Sequence, residues 1–278
     1  MNSTVILKGN ILYTPRPSEF ISIQHGYIIA VDGVVVYCGE SIPPAYADCE
    51  VTDYGDNLII PGFVDTHAHA PQYCNRGLGM DKELLPWLET YTFPEEAKFS
   101  DPDYARLVYG AFVQDLWSNG TTRSILFGTI HKESTLVLME LLQKAGLSAY
   151  VGKVNMDRNS PDFLIEETSQ SLADTKDWLE ASAQFGPLVK PIITPRFVPS
   201  CTSELMDGLG TLSEEYKVPV QSHLSENHGE IDWVAALHPE SPNYTDVYYE
   251  HKLMGRTPTV MAHCIHLSDV EMDRMAET

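Results

Sequence analysis

From Pro61 onward, short apolar runs alternate with longer stretches of helical periodicity, and no other feature constrains the fold of this chain as strongly. The apolar runs fall at 59–69, 122–127, 149–154, 191–197, 218–223 and 259–263. Between and after them, helical patterns occupy 102–118, 133–145, 162–185, 202–216, 226–237 and 245–254. A strand returned to its sheet through a helix must pair in parallel, so the choice is a doubly wound sheet or a (β/α) barrel. Both architectures place functional groups at the C-terminal ends of the strands. The runs end near His69, Phe127, Asp157, Phe197, His223 and His263, which makes six of the eight strands a closed barrel needs. The last residues, Met275 to Thr278, read as part of the helix after the sixth strand, so the pattern is that of a truncated barrel.

Residues 4–60 have a different character. Apolar β-branched runs are punctuated by Lys8-Gly9-Asn10, by a turn at His25-Gly26 and by Asp32-Gly33, the last a strong hairpin signal. This predicts a small β element at 1–60, part of a β-sandwich-like domain, ahead of a partial barrel at 61–278. A formal net charge of −21 leaves no basic face for a nucleic acid or an anionic membrane. Five scattered cysteines without a Cys-x-x-Cys pair fit free thiols in a reducing compartment. Met1-Asn2-Ser3-Thr4 opens no targeting signal, and no apolar run is long enough to span a membrane, so a cytoplasmic location is expected.

Chemistry concentrates where the strands end. His67 and His69 close the first strand one residue apart, so both imidazoles point to one face. One such histidine is ordinarily a core residue bonded to a carbonyl. Here His223 and His263 close two further strands, and four imidazoles at one mouth suit a metal, most often zinc in a hydrolytic site. Glu226, three residues past His223, stands where a carboxylate can reach a metal-activated water without ligating the metal; equally, it is a helix-start glutamate with Ser225 as cap. His25, His131, His228, His238 and His251 lie in polar or helical surroundings and are expected to be solvated, with His266 a loop residue. His238-Pro239-Glu240 imitates the His-x-Glu of zinc nucleobase deaminases, but the Cys-x-x-Cys those enzymes require is absent.

The stretches Pro61-Gly62-Phe63-Val64-Asp65-Thr66-His67-Ala68-His69, Ser222-His223-Leu224-Ser225-Glu226 and Ala262-His263-Cys264-Ile265-His266 resemble the amidohydrolase superfamily of metal-dependent (β/α) barrels. Leu85-Pro86-Trp87-Leu88-Glu89-Thr90-Tyr91-Thr92-Phe93-Pro94 and Thr194-Pro195-Arg196-Phe197 resemble, more narrowly, its guanine-deaminating branch. The resemblance implies an α/β fold with an incomplete amidohydrolase barrel and hydrolytic deamination of guanine. It implies one zinc per chain at His67, His69, His223 and His263, with Glu226 moving protons and His263 also catalytic. Arg196 is implied as the donor to the 6-oxo group, Gln72 as a partner of a ring edge, and Trp87 and Phe197 as walls around the base. A homodimer is implied as well.

Two alternatives are an amidohydrolase of another aminated heterocycle, such as a pterin or triazine, and a non-catalytic fragment or scaffold. The superfamily also carries an Asp after an eighth strand, a role that none of Asp65, Asp269 and Asp273 matches in position. Impaired metal binding and low activity of this chain are the corresponding expectations.

Overall fold

The computed structural model describes residues 3–278. Met1 and Asn2, part of the stretch read for targeting signals, lie outside it. The chain divides into a smaller compact unit that ends at Phe63 and a larger one, Val64–Thr278.

The smaller unit is a four-stranded sheet in the order β3-β2-β1-β4, built from β1 (Thr4–Arg16), β2 (Glu19–Val31), β3 (Val34–Gly39) and β4 (Val51–Ile59). β1 runs antiparallel to β2 and parallel to β4. Asp32-Gly33 forms the expected hairpin, with both residues at positive φ. His25-Gly26 does not end a strand. The register of β1 against β2 shifts between Gly9 and Ile11, and the bulge is absorbed by His25 at φ 50°, whose N–H donates to Asn10 Oδ1 at 3.0 Å. A left-handed residue held by a side-chain acceptor bends a strand without breaking it. Ile6, Ile11 and Ile29 form the buried side of this sheet.

The larger unit alternates strands and helices. β5 (Phe63–His69) lies beside β6 (Thr121–Phe127), which pairs in parallel with β7 (Ser148–Gly152), and β7 with β9 (Val189–Pro191). β8 (Val154–Asn155) pairs with β10 (Thr194–Pro195), and β11 (Val220–Leu224) with β12 (Thr259–His263), again in parallel. A bridge from Ile193 to Val220 joins β11 to this arc. The six strand positions read from the sequence are therefore present, but two of them are broken. The third breaks at Lys153 and the fourth at Ile192-Ile193, between prolines that have no N–H to give the ladder.

Between the strands run α1 (Leu84–Trp87), α2 (Phe93–Glu96), α3 (Pro102–Ser118), α4 (Lys132–Ala145), α5 (Thr168–Ser182), α6 (Ser203–Tyr216), α7 (His228–Leu237), α8 (Tyr244–Glu250) and α9 (Asp269–Ala276). Their apolar faces bury Tyr109, Leu138, Leu142, Trp178, Leu205 and Leu209 against Leu126, Val151 and Val220 of the strands. The helix expected at 162–185 is shorter: Asp162–Leu164 is a 3-10 turn, and α5 starts only after Glu167 caps it by accepting from the Gln170 N–H. Glu166 is withheld from that helix by a buried ion pair, because the fully buried Lys153 ammonium needs it at 2.6 Å. Among the described residues, no helix is long and apolar enough to cross a membrane.

Candidate metal centre and its cavity

At the C-terminal end of β5, His67 and His69 turn toward His223 of β11. Ligand nitrogens of the three lie within 4.8 Å of one another. His69 Nε2 and His223 Nε2 face each other at 2.9 Å. His69 is held flat against Phe127, the last residue of β6, with ring centroids 4.4 Å apart. His223 is oriented from behind: Nδ1 donates to the Arg196 carbonyl at 2.6 Å, which leaves Nε2 as the free lone pair. His263 stands further out, its ring 5.1 Å from that of His67, and its Nε2 lies 3.3 Å from Glu226 Oε2.

Burial, with neighbouring histidines adding to it, holds His69 and His223 well below the usual imidazole range. Burial and then His263 lower His67 to about 4, against an opposing pull from Asp65. His263 is also lowered by burial. Neutral imidazoles are the form a metal requires. The His69 Nδ1 atom is buried without a partner, so its ring is held by packing and by whatever meets Nε2. Tetrahedral zinc with 2.0–2.1 Å bonds sets its ligand nitrogens about 3.3 Å apart, near the spacing seen here. The donor set thus fits a divalent metal at His67, His69 and His223.

Glu226 owes its position to a correction of the expected cap. Ser225 does not cap α7; it sits at φ 51° with its hydroxyl buried and unpartnered. Asn227 caps instead, in a capping box with Glu230, whose carboxylate accepts from the N–H groups of Glu226 and Asn227. Glu226 is thereby left outside the helix, with its side chain free to face the histidines. Burial, and then the Glu230 charge, push its carboxyl up to about 7, while Arg196 pulls it down. His263 and Cys264 also take left-handed backbone, at φ 70° and 54°. This turn is pinned by Cys264 N–H donating to Leu224 O of β11 at 2.8 Å and His266 N–H donating to Ser225 O, just past β11, at 3.1 Å. Strain of this kind persists where neighbours over-determine it.

A cavity of about 150 Å³ opens over the histidines, lined also by Gln72, Trp87, Arg196, Phe197 and Glu226. The candidate site residues His67, His69, Gln72, Trp87, Arg196, Phe197, His223, Glu226 and His263 are therefore brought to one place. Arg196 is 2 % exposed and paired through both terminal nitrogens with Glu96, at 2.6 and 3.1 Å. Glu96, Leu84 and Leu88 were not identified by sequence reasoning. The leucines belong to the same aromatic-rich stretch as Trp87, but nothing marks Glu96 apart from Glu95, which instead binds Lys98 and Tyr104.

Three histidines expected to be solvated are not. His251 is mostly covered and bonds to Asp207 at 2.8 Å. His238 is buried between Arg158 and Glu240, and His131 has its Nε2 buried without a partner. His228 is exposed, as expected, and its ring packs tilted against that of His266, centroids 4.0 Å apart.

The lowered imidazoles and the raised carboxyl act oppositely on stability. Between about 4 and 6.5 the unfolded chain binds protons that folded His67 refuses, so stability rises with pH. Between 4.5 and about 7 folded Glu226 keeps a proton the unfolded chain has lost, so stability falls with pH. Urea melts of metal-free protein are expected to show a net rise up to pH 6.5, steeper in Glu226→Gln. An equal slope in both proteins would mean that Glu226 titrates normally.

The Amidohydrolase family profile matches residues 58–278. The chain is similar to guanine deaminase of Dictyostelium discoideum, 52% identical over 223 residues that cover 80% of this chain and 49% of that protein. Its structure is similar to that of guanine deaminase from C. acetobutylicum with bound guanine in the active site, with a TM-score of 0.96 and 51% identity over 99% of this chain and 65% of the other. Guanine deaminase of E. coli gives a TM-score of 0.90 at 36% identity, over 99% of this chain and 65% of that one. The chain spans about half the length of the curated relatives it matches.

Proposed function

Because this chain belongs to the amidohydrolase family, we propose that its cavity is the metal, proton-transfer and base-recognition part of a site that hydrolyses guanine to xanthine and ammonia. The observation that carries this reading is the convergence, in one small cavity, of three neutral imidazoles, the Glu226 carboxyl and the Arg196 guanidinium. Ligands of drug size occupy pockets of roughly 300–1,000 Å³, so a cavity of about 150 Å³ suits a single bare ring system. The likeness to a guanine deaminase that holds guanine in its active site supports the choice of ring.

His67, His69 and His223 would hold the metal, with His263 beside them; in our reading it is one zinc per chain. When bound, the metal supplies the Lewis acidity that lets a water lose its proton near neutral pH. Glu226, with a carboxyl poised near neutrality, takes that proton. The water oxygen would bond to C2 as the C2=N3 π pair moves to N3, which takes the first water proton from Glu226. The second water proton would pass through Glu226 to the exocyclic amine as the C2–N bond breaks, so that ammonia leaves and C2 becomes a carbonyl. His263, 3.3 Å from Glu226, steadies the carboxylate as it cycles. Arg196 donates to the 6-oxo group, Gln72 meets a ring edge, and Trp87 and Phe197 enclose the plane. A homodimer in the cytoplasm completes the reading.

Ammonia release by the zinc-loaded protein, with guanine, cytosine and a pterin offered separately, tests the function. Release from guanine alone is expected; release from the pterin at an equal rate would overturn the choice of ring. In parallel, His69→Ala is expected to weaken zinc binding by more than about 100-fold, beyond the loss caused by altering an outer partner of a ligand. Competition against a chromophoric chelator measures it.

A further inference from the structure

Glu96 does not line the cavity, is 1 % exposed, and touches two residues that do line it. Its Oε1 accepts from Gln72 Nε2 at 3.1 Å and from Arg196 Nη2 at 3.1 Å, and its Oε2 accepts from Arg196 Nη1 at 2.6 Å. Gln72 comes from the segment after β5 and Arg196 from the segment after β10, so one carboxylate ties together two distant parts of the mouth.

We propose that Glu96 is a positioning residue that sets which hydrogen-bonding edge of a ligand the cavity reads. A carboxylate paired with an arginine can only accept. The Gln72 amide must therefore turn its nitrogen toward Glu96, and its oxygen is left for the cavity as an acceptor. Of the five guanidinium N–H groups, two go to Glu96 and a third faces Met156 Sδ at 3.9 Å, which leaves two to donate. Arg196 is further braced by the Phe93 ring, 5.1 Å from its guanidinium carbon and on the same short helix as Glu96. The site consequently offers a fixed pattern, donors from Arg196 and an acceptor from Gln72, to a planar ring that carries a carbonyl beside N–H groups. This inference rests on the function proposed above and deepens it, since it assigns the discrimination between 6-oxo and 6-unsubstituted purines to a residue that never touches the ring.

The test compares guanine with 2-aminopurine, which keeps the amine and lacks the oxo group, in wild type, Glu96→Gln and Glu96→Ala. Leu138→Ala, a change in the core away from the cavity, controls for lost stability. With Arg196 and Gln72 released, the ratio of kcat/KM for guanine over 2-aminopurine is expected to fall about 10–100-fold in the Glu96 variants, the scale on which misplaced groups cost rate. It should stay at the wild-type value in Leu138→Ala.

A ratio preserved in Glu96→Gln would overturn the proposal, leaving Glu96 a purely structural partner of Arg196. A second readout needs no turnover. The Gln72 side-chain amide protons, followed by NMR, are expected to exchange with solvent at least about 10-fold faster in Glu96→Gln, because a charged acceptor has been replaced by a neutral one. Unchanged exchange overturns the clamp. Wild type that leaves guanine untouched while the exchange still quickens would instead overturn the function and keep the clamp.

Discussion

Glu226→Gln is expected to lower kcat for guanine by about 10²–10⁴-fold, the range that a positioned acid–base group contributes, with zinc affinity essentially unchanged. The amide is isosteric, stays outside α7 because Asn227 and Glu230 still form the cap, and keeps its place 3.3 Å from His263. What it loses is the ability to hold and release a proton. Steady-state kinetics with metal analysis of the same preparation separate the two quantities. A fall in zinc content matching the fall in rate would make Glu226 a ligand and overturn its role as proton carrier.

Arg196→Met is expected to cost about 3–5 kcal/mol in urea melts, the penalty for leaving one member of a buried ion pair without its partner. Glu96 is nearly inaccessible and would keep only the Gln72 amide as a donor. The double variant Arg196→Met, Glu96→Leu removes both charges and is expected to recover most of that stability, since apolar groups of similar volume replace buried pairs at little net cost. It should remain without preference for a 6-oxo purine. If the double variant were as unstable as the single one, packing around Arg196, rather than its charge, would hold this part of the mouth together.

Much of this could be read from residue order. Alternation of apolar runs with helical periodicity is a local property, so the parallel strands and the helices of the larger unit were legible, as was the convergence of His67, His69, His223 and His263 on one cavity that follows from strand polarity. The places where the reading failed are places where a distant group decides. His25 looks like a turn until Asn10 of the neighbouring strand caps it as a bulge. Residues 162–167 look helical until buried Lys153 claims Glu166. Ser225 and Asn227 are both plausible caps in sequence, and only the reach of Glu230 selects Asn227. Glu95 and Glu96 cannot be told apart in one dimension, yet one turns toward Lys98 and the other toward Arg196, 100 residues away.

The breaks at Lys153 and Ile192-Ile193 divide two of the strands into a lower and an upper tier. The lower pieces, β7 and β9, belong to the continuous ladder and are clad by α4 and α5. The upper pairing of β8 with β10 is two residues long and leads directly to Arg196 and Phe197. The ladder and the residues that line the cavity thus sit on separate pieces of a single strand. Under the proposed function, replacing the upper tier is expected to change which ring the mouth accepts while the ladder beneath it goes on folding as before.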